Sequence, residues 1–348
     1  QISGDGSTVV VGAYRHNNNR GHAKVYRYNA VSNSWNSLGQ EIQGGQVKEY
    51  AGTSVDISDD GTVIAVAGNG YDSANNQKDR GRVRIYEYNG NQWIKRGNGI
   101  IGEGNIDNSG RSISLSADGN TIAIGANAND VPGKQNCGHV RVYGFNGITN
   151  NWEKIGTDIN GEKRGDNFGY SVSLSSDATR LAVAAPLYEP SGKNLTGQAK
   201  IYELRNNSWV ELGKISGENS NDKAGQTVQG GTGISMSGDG RRFTLGARFN
   251  AGNGYRSGHA RVYDINNNGP SLTTQSISVA EDASAGEILN LNDSNTGTDQ
   301  DPDGNAIAYS ITAGNDAGIF SIHSASGAIS IAAGKSLDYE TATSHALT

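Results

Sequence analysis

The residues best suited to chemistry in this chain are carboxylates, and they are unevenly spread. Thr298-Asp299-Gln300-Asp301-Pro302-Asp303-Gly304-Asn305 places three Asp and one Asn within eight residues. Alternate side chains of an extended loop project to one side, so Asp299, Asp301 and Asp303 can converge, repelling one another unless a cation sits among them. Hard oxygen donors in that number favour calcium over zinc or copper. A solvated acidic loop is the alternative.

A second acidic pattern, Gly-Glu-x3-Asp-x2-Gly, recurs at Gly102 to Gly110, Gly161 to Gly169 and Gly217 to Gly225. It reads as a structural turn or cap, with a weak ion or ligand site as the alternative. Arg164-Gly165-Asp166 falls inside one copy, where Asp166 already belongs to the pattern. Three histidines, His22, His139 and His259, each follow a glycine at corresponding places. Arg82 and Gln198 stand at the other two such places, so these read as polar strand residues rather than as a ring of metal ligands. There is no Ser-His-Asp arrangement and no phosphate-cradling glycine loop ahead of a helix.

The elements that must position these groups come from internal repetition. Trp35, Trp93, Trp152 and Trp209 are separated by steps of 58, 59 and 57, and each is followed four residues on by a glycine. Tyr26, Tyr86, Tyr143, Tyr202 and Tyr263 keep the same period, as do Asp5, Asp60, Asp118, Asp177 and Asp239. The third copy shows one unit in full. Gly110-Arg111-Ser112-Ile113-Ser114-Leu115-Ser116 alternates in polarity, as a strand with one apolar face should. Asp118-Gly119 supplies a tight hairpin turn. Thr121 to Ala126 is an apolar strand, Gly138 to Tyr143 a third, and Asn151 to Gly156 begins a fourth. Four antiparallel strands in each repeat of about 58 residues predict an all-β fold, a β-propeller of four-stranded blades. Five copies are present, the first without its opening strand and the fifth without its Trp strand. A five-bladed ring and a larger, cut ring both fit.

Composition agrees. Fifty glycines and five prolines in 348 residues suit short strands and tight turns. A net charge of −6 argues against nucleic acid or an anionic membrane surface as the main partner. Cys137 is the lone cysteine, so no intrachain disulfide can form. No run of about 18 apolar residues predicts a membrane span. Both ends fall inside strand patterns and read as cut.

The repeat resembles the FG-GAP repeat of integrin-α-type propellers. Phe168-Gly169-Tyr170-Ser171-Val172 and Leu181-Ala182-Val183-Ala184-Ala185-Pro186 carry the likeness, which spans roughly residues 2–265. Ser58-Asp59-Asp60-Gly61 and its equivalents hold too few carboxylates for the calcium loop of that family, and read as turns. After Tyr263 the repeat stops, and Asp264 to Pro270 forms a polar hinge. New short strands follow at Gln275 to Ala280, Ile307 to Ile311, Ile319 to His323 and Ala328 to Ala332, which read as a β-sandwich. Val279-Ala280-Glu281-Asp282, Asp299-x-Asp301, Tyr309-Ser310-Ile311, Phe320-Ser321-Ile322 and Leu337-Asp338-Tyr339-Glu340 resemble a cadherin repeat in their order. That resemblance implies calcium ligands Glu281, Asp338 and Glu340 at the far end of the module, with Asp299, Asp301 and Asn305 facing the near junction.

The expected domains are therefore a propeller over 1–265, a linker over 266–270 and a cadherin/Ig-like sandwich over 271–348. The expected function is calcium-dependent adhesion or binding at a cell surface or in a secreted, bacterial assembly, without catalysis. The expected partners are a protein or glycan on another surface and neighbouring modules of the same polypeptide. Two alternatives stand beside it: a carbohydrate-binding propeller with a structural spacer, and an exported propeller hydrolase with dispersed residues.

Overall fold

The computed structural model describes residues 1–73, 78–226, 233–252, 254–265, 287–290, 309–324, 326–337 and 347. The chain divides into two compact units, Gln1–Ile265 and Asn266–Thr348. The first is all-β, with five antiparallel sheets in chain order. The first sheet holds β1 (Thr8–Gly12), β2 (His22–Asn29), β3 (Ser34–Ser37) and β4 (Ile42–Gln43). The second holds β5 (Ser54–Ile57), β6 (Val63–Gly68), β7 (Arg82–Tyr88), β8 (Trp93–Lys95) and β9 (Ile100–Ile101). The third repeats it with β10 (Ser112–Leu115), β11 (Thr121–Ala126), β12 (His139–Asn146), β13 (Asn151–Lys154) and β14 (Ile159–Asn160). The fourth has β15 (Ser171–Leu174), β16 (Arg180–Ala185), β17 (Gln198–Arg205) and β18 (Ser208–Ser216), and the fifth β19 (Ile234–Met236), β20 (Arg242–Ala247) and β21 (His259–Asp264).

Each hydrophobic core lies between consecutive sheets. Within β6, Ile64 and Val66 pack on Val10, Ala23 and Val25 of the first sheet. Val63, Ala65 and Ala67 of the same strand pack the other way, against Ile113 and Leu115 of the third. A strand covered on both faces needs apolar residues at every position, which is why β6 reads as a continuous apolar run. Like junctions join the third and fourth sheets around Phe168 and Leu181, and the fourth and fifth around Ile234 and Phe243. The first strands of successive units, β5, β10, β15 and β19, adjoin in sequence order.

The repeat landmarks are the fasteners of this stack. The indole Nε1 of Trp93 donates to the Leu38 carbonyl of the preceding sheet at 2.8 Å, that of Trp152 to Arg96 at 2.8 Å, and that of Trp209 to Ile155 at 3.3 Å. The glycine four residues after Trp35, Trp93 and Trp152 receives the next indole. Gly39 and Gly97 have φ of +69° and +74°, and a Cβ there would lie 2.7 and 3.0 Å from Cδ1 of Trp93 and Trp152. Only glycine combines that conformation with that approach.

The five aspartates close five identical turns at the opposite end of the sheets from the long loops. In each, a Ser hydroxyl two residues back donates to the carboxylate and accepts the N–H at the start of the next strand. Ser116 Oγ–Asp118 Oδ1 at 2.6 Å and Thr121 N–Ser116 Oγ at 2.9 Å are typical. The carboxylates are spent on these turns, so they are turn locks.

In the second unit, β22 (Glu287–Asn290), β23 (Phe320–Ile322) and β24 (Ala328–Ile331) form an antiparallel sheet in the order β22-β24-β23. The expected strand at Ile307 to Ile311 is not formed over Tyr309 to Ile311; the strand expected at Gln275 to Ala280 lies outside the described residues.

Candidate functional site

At the loop end of the first three sheets, Tyr14, Arg15, Asn19, Tyr50, Thr53, Asn69 and Arg111 line a pocket of about 410 Å³. Two positions of the repeat build much of it. Tyr14 and Asn69 follow the second strand of their units, and Thr53 and Arg111 are the middle residue of Gly-x-Ser just ahead of β5 and β10. The flanking Gly and Ser are held constant by packing, while x is free to vary. Thr53 Oγ1 lies 2.6 Å from the Tyr50 carbonyl and 3.0 Å from Asn69 Oδ1, which orders that wall. Tyr14 and Tyr50 are tilted ring to ring at 6.4 Å. The Arg15 guanidinium stands over Tyr14 at 5.3 Å, and that of Arg111 over Tyr170 at 4.2 Å. Among the described residues no carboxylate pairs with Arg111, and none lines the pocket. Two guanidinium groups, two phenols and two amides in one lining suit an anionic ligand that carries hydroxyls.

The acidic loops have a different task. Asp107, Asp166 and Asp222 are buried and accept backbone N–H groups of their own turn, as from Lys163 to Asp166 at 2.8 Å and Asn219 to Asp222 at 2.8 Å. The glutamates of the same motif reach forward to a base on the next sheet: Glu103 to Arg141, Glu162 to Lys200 and Glu218 to Arg261. The motif is thus a cap plus an ion pair between sheets. Asp166 is turned inward, and burial raises its carboxyl above the ordinary value. Arg164-Gly165-Asp166 therefore presents no free carboxylate.

The three histidines open strands β2, β12 and β21, and two of them meet further ligand types. His22 lies beside Glu41 and His16, and His139 beside Asp158 and Glu103. Burial holds both His22 and His139 below the usual imidazole value, against the pull of the neighbouring acids. The acids enter through register: Ala23 pairs with Ile42 and Val140 with Ile159, which brings the preceding residue, Glu41 or Asp158, to the histidine's face. The spacing of the glycine-histidine pairs along the chain contains no such information.

The calcium ligands expected at Glu281, Asp299, Asp301, Asp303, Asn305, Asp338 and Glu340 all lie outside the described residues.

No family model matches the chain, and no curated protein matches it. Among solved structures it is similar to a functionally unknown protein of Desulfotomaculum acetoxidans DSM 771, with TM-score 0.46 and 18% identity over 70% of this chain and 61% of that one. The periplasmic gluconolactonase PpgL of Pseudomonas aeruginosa gives 0.48 and 15%, over 70% and 63%. A protein proposed to be a 6-phosphogluconolactonase from Bacteroides uniformis ATCC 8492 gives 0.41 and 10%, over 95% and 96%. The chain spans about three fifths of the length of the first two.

These findings correct the resemblances drawn from sequence. The similar structures include proteins named as lactonases, and neither an integrin nor a cadherin is among these three. The assignment to FG-GAP repeats followed by a cadherin repeat is withdrawn. With it go calcium-dependent cell adhesion and the expectation of no enzymatic activity. The physical reason is visible at Phe168-Gly169. Phe168 is buried and meets Tyr202 edge-on at 6.3 Å, and Gly169 has a φ of +83° with His139 O 2.5 Å from where a Cβ would stand. The glycine recurs as Gly52, Gly110 and Gly225 with φ of +88°, +85° and +86°, while Ala51, Ser109 and Ala224 stand in place of the Phe, so the pair marks the packing of one sheet on the next and does not identify one family.

Proposed function

We propose that the first unit is a β-propeller of four-stranded blades and that the chain acts as an exported hydrolase of esters or lactones, with an anionic, hydroxylated substrate bound in the Arg15–Arg111 pocket. The observation that carries this reading is the lining itself. Guanidinium groups hold a carboxylate or phosphate and stabilise the oxyanion formed when water adds to a carbonyl. Phenol and amide groups hydrogen-bond to sugar hydroxyls. Hydrolysis then breaks the acyl–oxygen bond, opening a lactone to a hydroxy acid or splitting an ester into an acid and an alcohol.

The test is turnover of aldonolactones and their phosphates, followed by acid release at constant pH, on wild type and Arg111→Ala. Gluconolactone and 6-phosphogluconolactone are natural first substrates, since two similar structures bear those names. We expect kcat/KM to fall at least about 100-fold in the variant, the loss of one oxyanion-type donor. Binding of a sugar acid without turnover would instead support a carbohydrate-binding propeller. No binding and no turnover would end the pocket reading. Sugar stacking on Trp93 and Trp152 is disfavoured, because they are only 3% and 6% exposed.

Calcium is retained as a proposal for the Asp299, Asp301, Asp303 and Asn305 loop on its spacing alone; calorimetry with calcium on the whole chain, before and after Asp301→Asn, tests it. Glu281, Asp338 and Glu340 lose the resemblance that supported them. Among the described residues no helix is long and apolar enough to cross a membrane.

A further inference from the structure

Two clusters of potential metal ligands occupy equivalent places in the first and third sheets, and they differ in one decisive respect. In the third sheet His139 is joined by Asp158 and Glu103, but the Arg141 guanidinium sits between the two acids, 3.0 Å from Asp158 and in contact with Glu103. A fixed cation already neutralises that set. In the first sheet the corresponding base is Lys24, half-exposed and 3.3 Å from the other oxygen, Oε2, of Glu41. Glu41 Oε1 is left buried without a hydrogen bond, 2.8 Å from His22 Nδ1. The third member is a histidine. His16 Nδ1 lies 3.0 Å from His22 Nδ1, with the rings 4.3 Å apart.

That arrangement is poorly served by protons. Two ring nitrogens and a carboxylate oxygen meet around His22 Nδ1, and a single hydrogen on that atom can satisfy one of its two neighbours. The loop enforces the meeting. Asn17, Asn18 and Asn19 all take positive φ, at 48°, 57° and 64°, and fold His16 back over β2. Ligands of a tetrahedral zinc ion with bonds of about 2.0–2.1 Å stand about 3.3 Å apart; His22 Nδ1 stands 3.0 Å from His16 Nδ1 and 2.8 Å from Glu41 Oε1, and all three ligand atoms lie within 4.8 Å of one another. Two imidazoles and one carboxylate form a donor set suited to zinc-like divalent ions.

We propose that His16, His22 and Glu41 form a binding site for a zinc-class divalent cation, with a fourth position open, and that the homologous Glu103–His139–Asp158 set binds none because Arg141 fills its role. The site is separate from the pocket reading and stands or falls without it.

The test is equilibrium dialysis and calorimetry with Zn²⁺ on the untagged, chelator-treated whole chain. We expect one ion per chain, binding at least about tenfold weaker in His16→Ala and in Glu41→Gln, as loss of a ligand requires. Glu103→Gln should leave both affinity and stoichiometry unchanged. His16 is exposed, so its variant should melt as wild type does without metal, which separates lost ligation from lost folding. Co²⁺ in place of Zn²⁺ should give the intense visible bands of a tetrahedral site, absent in His16→Ala. No Zn²⁺ binding, binding indifferent to His16→Ala, or a stoichiometry lowered by Glu103→Gln would overturn the proposal.

Discussion

Trp35 and Trp152 occupy the same place in the repeat and live in different surroundings. Trp152 is 6% exposed, seated on Gly97 and bonded to the Arg96 carbonyl of the sheet before it. Trp35 keeps the tilted contact with its neighbouring tyrosine, Tyr28 at 5.5 Å, as Trp152 keeps Phe145 at 5.3 Å. Yet it is 45% exposed, and Val11 on the same sheet is 51% exposed, because no sheet covers that face among the described residues. The local pair is a property of the sequence; the clasp is a property of the neighbour. Removing each indole separates the two contributions. Trp152→Ala should cost about 3–5 kcal/mol, the usual loss for a buried large aromatic. Trp35→Ala should cost about 1 kcal/mol or less, as at other exposed positions. Urea unfolding of the two variants measures the difference, and equal losses would mean that Trp35 is covered in solution.

The junction between the first and second sheets differs from the others in its linker as well. Elsewhere the cap and the ion pair are divided between an Asp and a Glu. Here Gly45 stands where Glu103 and Glu162 stand, and Glu49 takes the place of Asp107 and Asp166. One methylene longer, Glu49 does both jobs. Its Oε2 accepts the N–H groups of Gly45 and Gln46 at 2.5 and 3.2 Å, and its Oε1 lies 2.7 Å from Arg82 and 3.3 Å from Arg84. Glu49→Ala strands two guanidinium groups and two amides at once, so a loss of about 3 kcal/mol is expected. Glu162→Ala removes a half-exposed partner from Lys200, which keeps Glu211 at 2.7 Å, and should cost about 1 kcal/mol or less. Restoring the divided form with Gly45→Glu and Glu49→Asp together should recover most of the loss; failure to do so would show that this junction has a geometry of its own.

The period, the strand order within a repeat and the Asp-Gly turns were legible because each depends on residues close in the chain. The all-β fold follows from them. What the Trp residues, the Gly-x-Ser glycines and the Gly-Glu-x3-Asp loops bind was not legible, since each partner lies one sheet away. The same limit misled the family reading, in which Phe168-Gly169 looked diagnostic and its glycine proved to be the packing position that every such junction repeats. The pocket left a fainter trace. Thr53, Arg111 and Tyr170 vary at x of Gly-x-Ser while their neighbours hold still, the mark of a position released from packing. Glu41 beside His22 left none, because their meeting depends on the pairing of β4 with β2.

Acid titration offers the finest distinction between what every sheet repeats and what one junction does alone. The turn aspartates are repeated. Hydrogen bonds from Ser3 and Ser7 lower Asp5 to about 2. Burial opposes ionisation of Asp118, but bonds from Ser116 and Asn120 outweigh it and its pKa is also lowered. A carboxyl whose folded pKa lies below its unfolded value near 3.9 adds stability that is complete above about pH 4 and is lost as pH falls through the folded value. Asp56 has the opposite sign. It stands where Ser114 and Ser173 link the inner strands, and it accepts the Leu115 N–H at 2.7 Å much as those serines accept Leu174 and Met236, both at 3.0 Å. Desolvation pushes its carboxyl up to about 6, against the bonds from Leu115 and Ile57. A raised folded pKa means stability that is full below the unfolded value and lost as pH rises through about 6. Urea midpoints should therefore climb from pH 2 to about 4 and slip between about 4 and 6. Asp56→Ser, which gives this junction the residue of the others, should remove the upper slope and leave the lower one. Asp118→Asn should shallow only the lower slope, by the smallest change considered. An upper slope that survives Asp56→Ser would assign it to another group and make the inner-strand link at this junction equivalent to the rest.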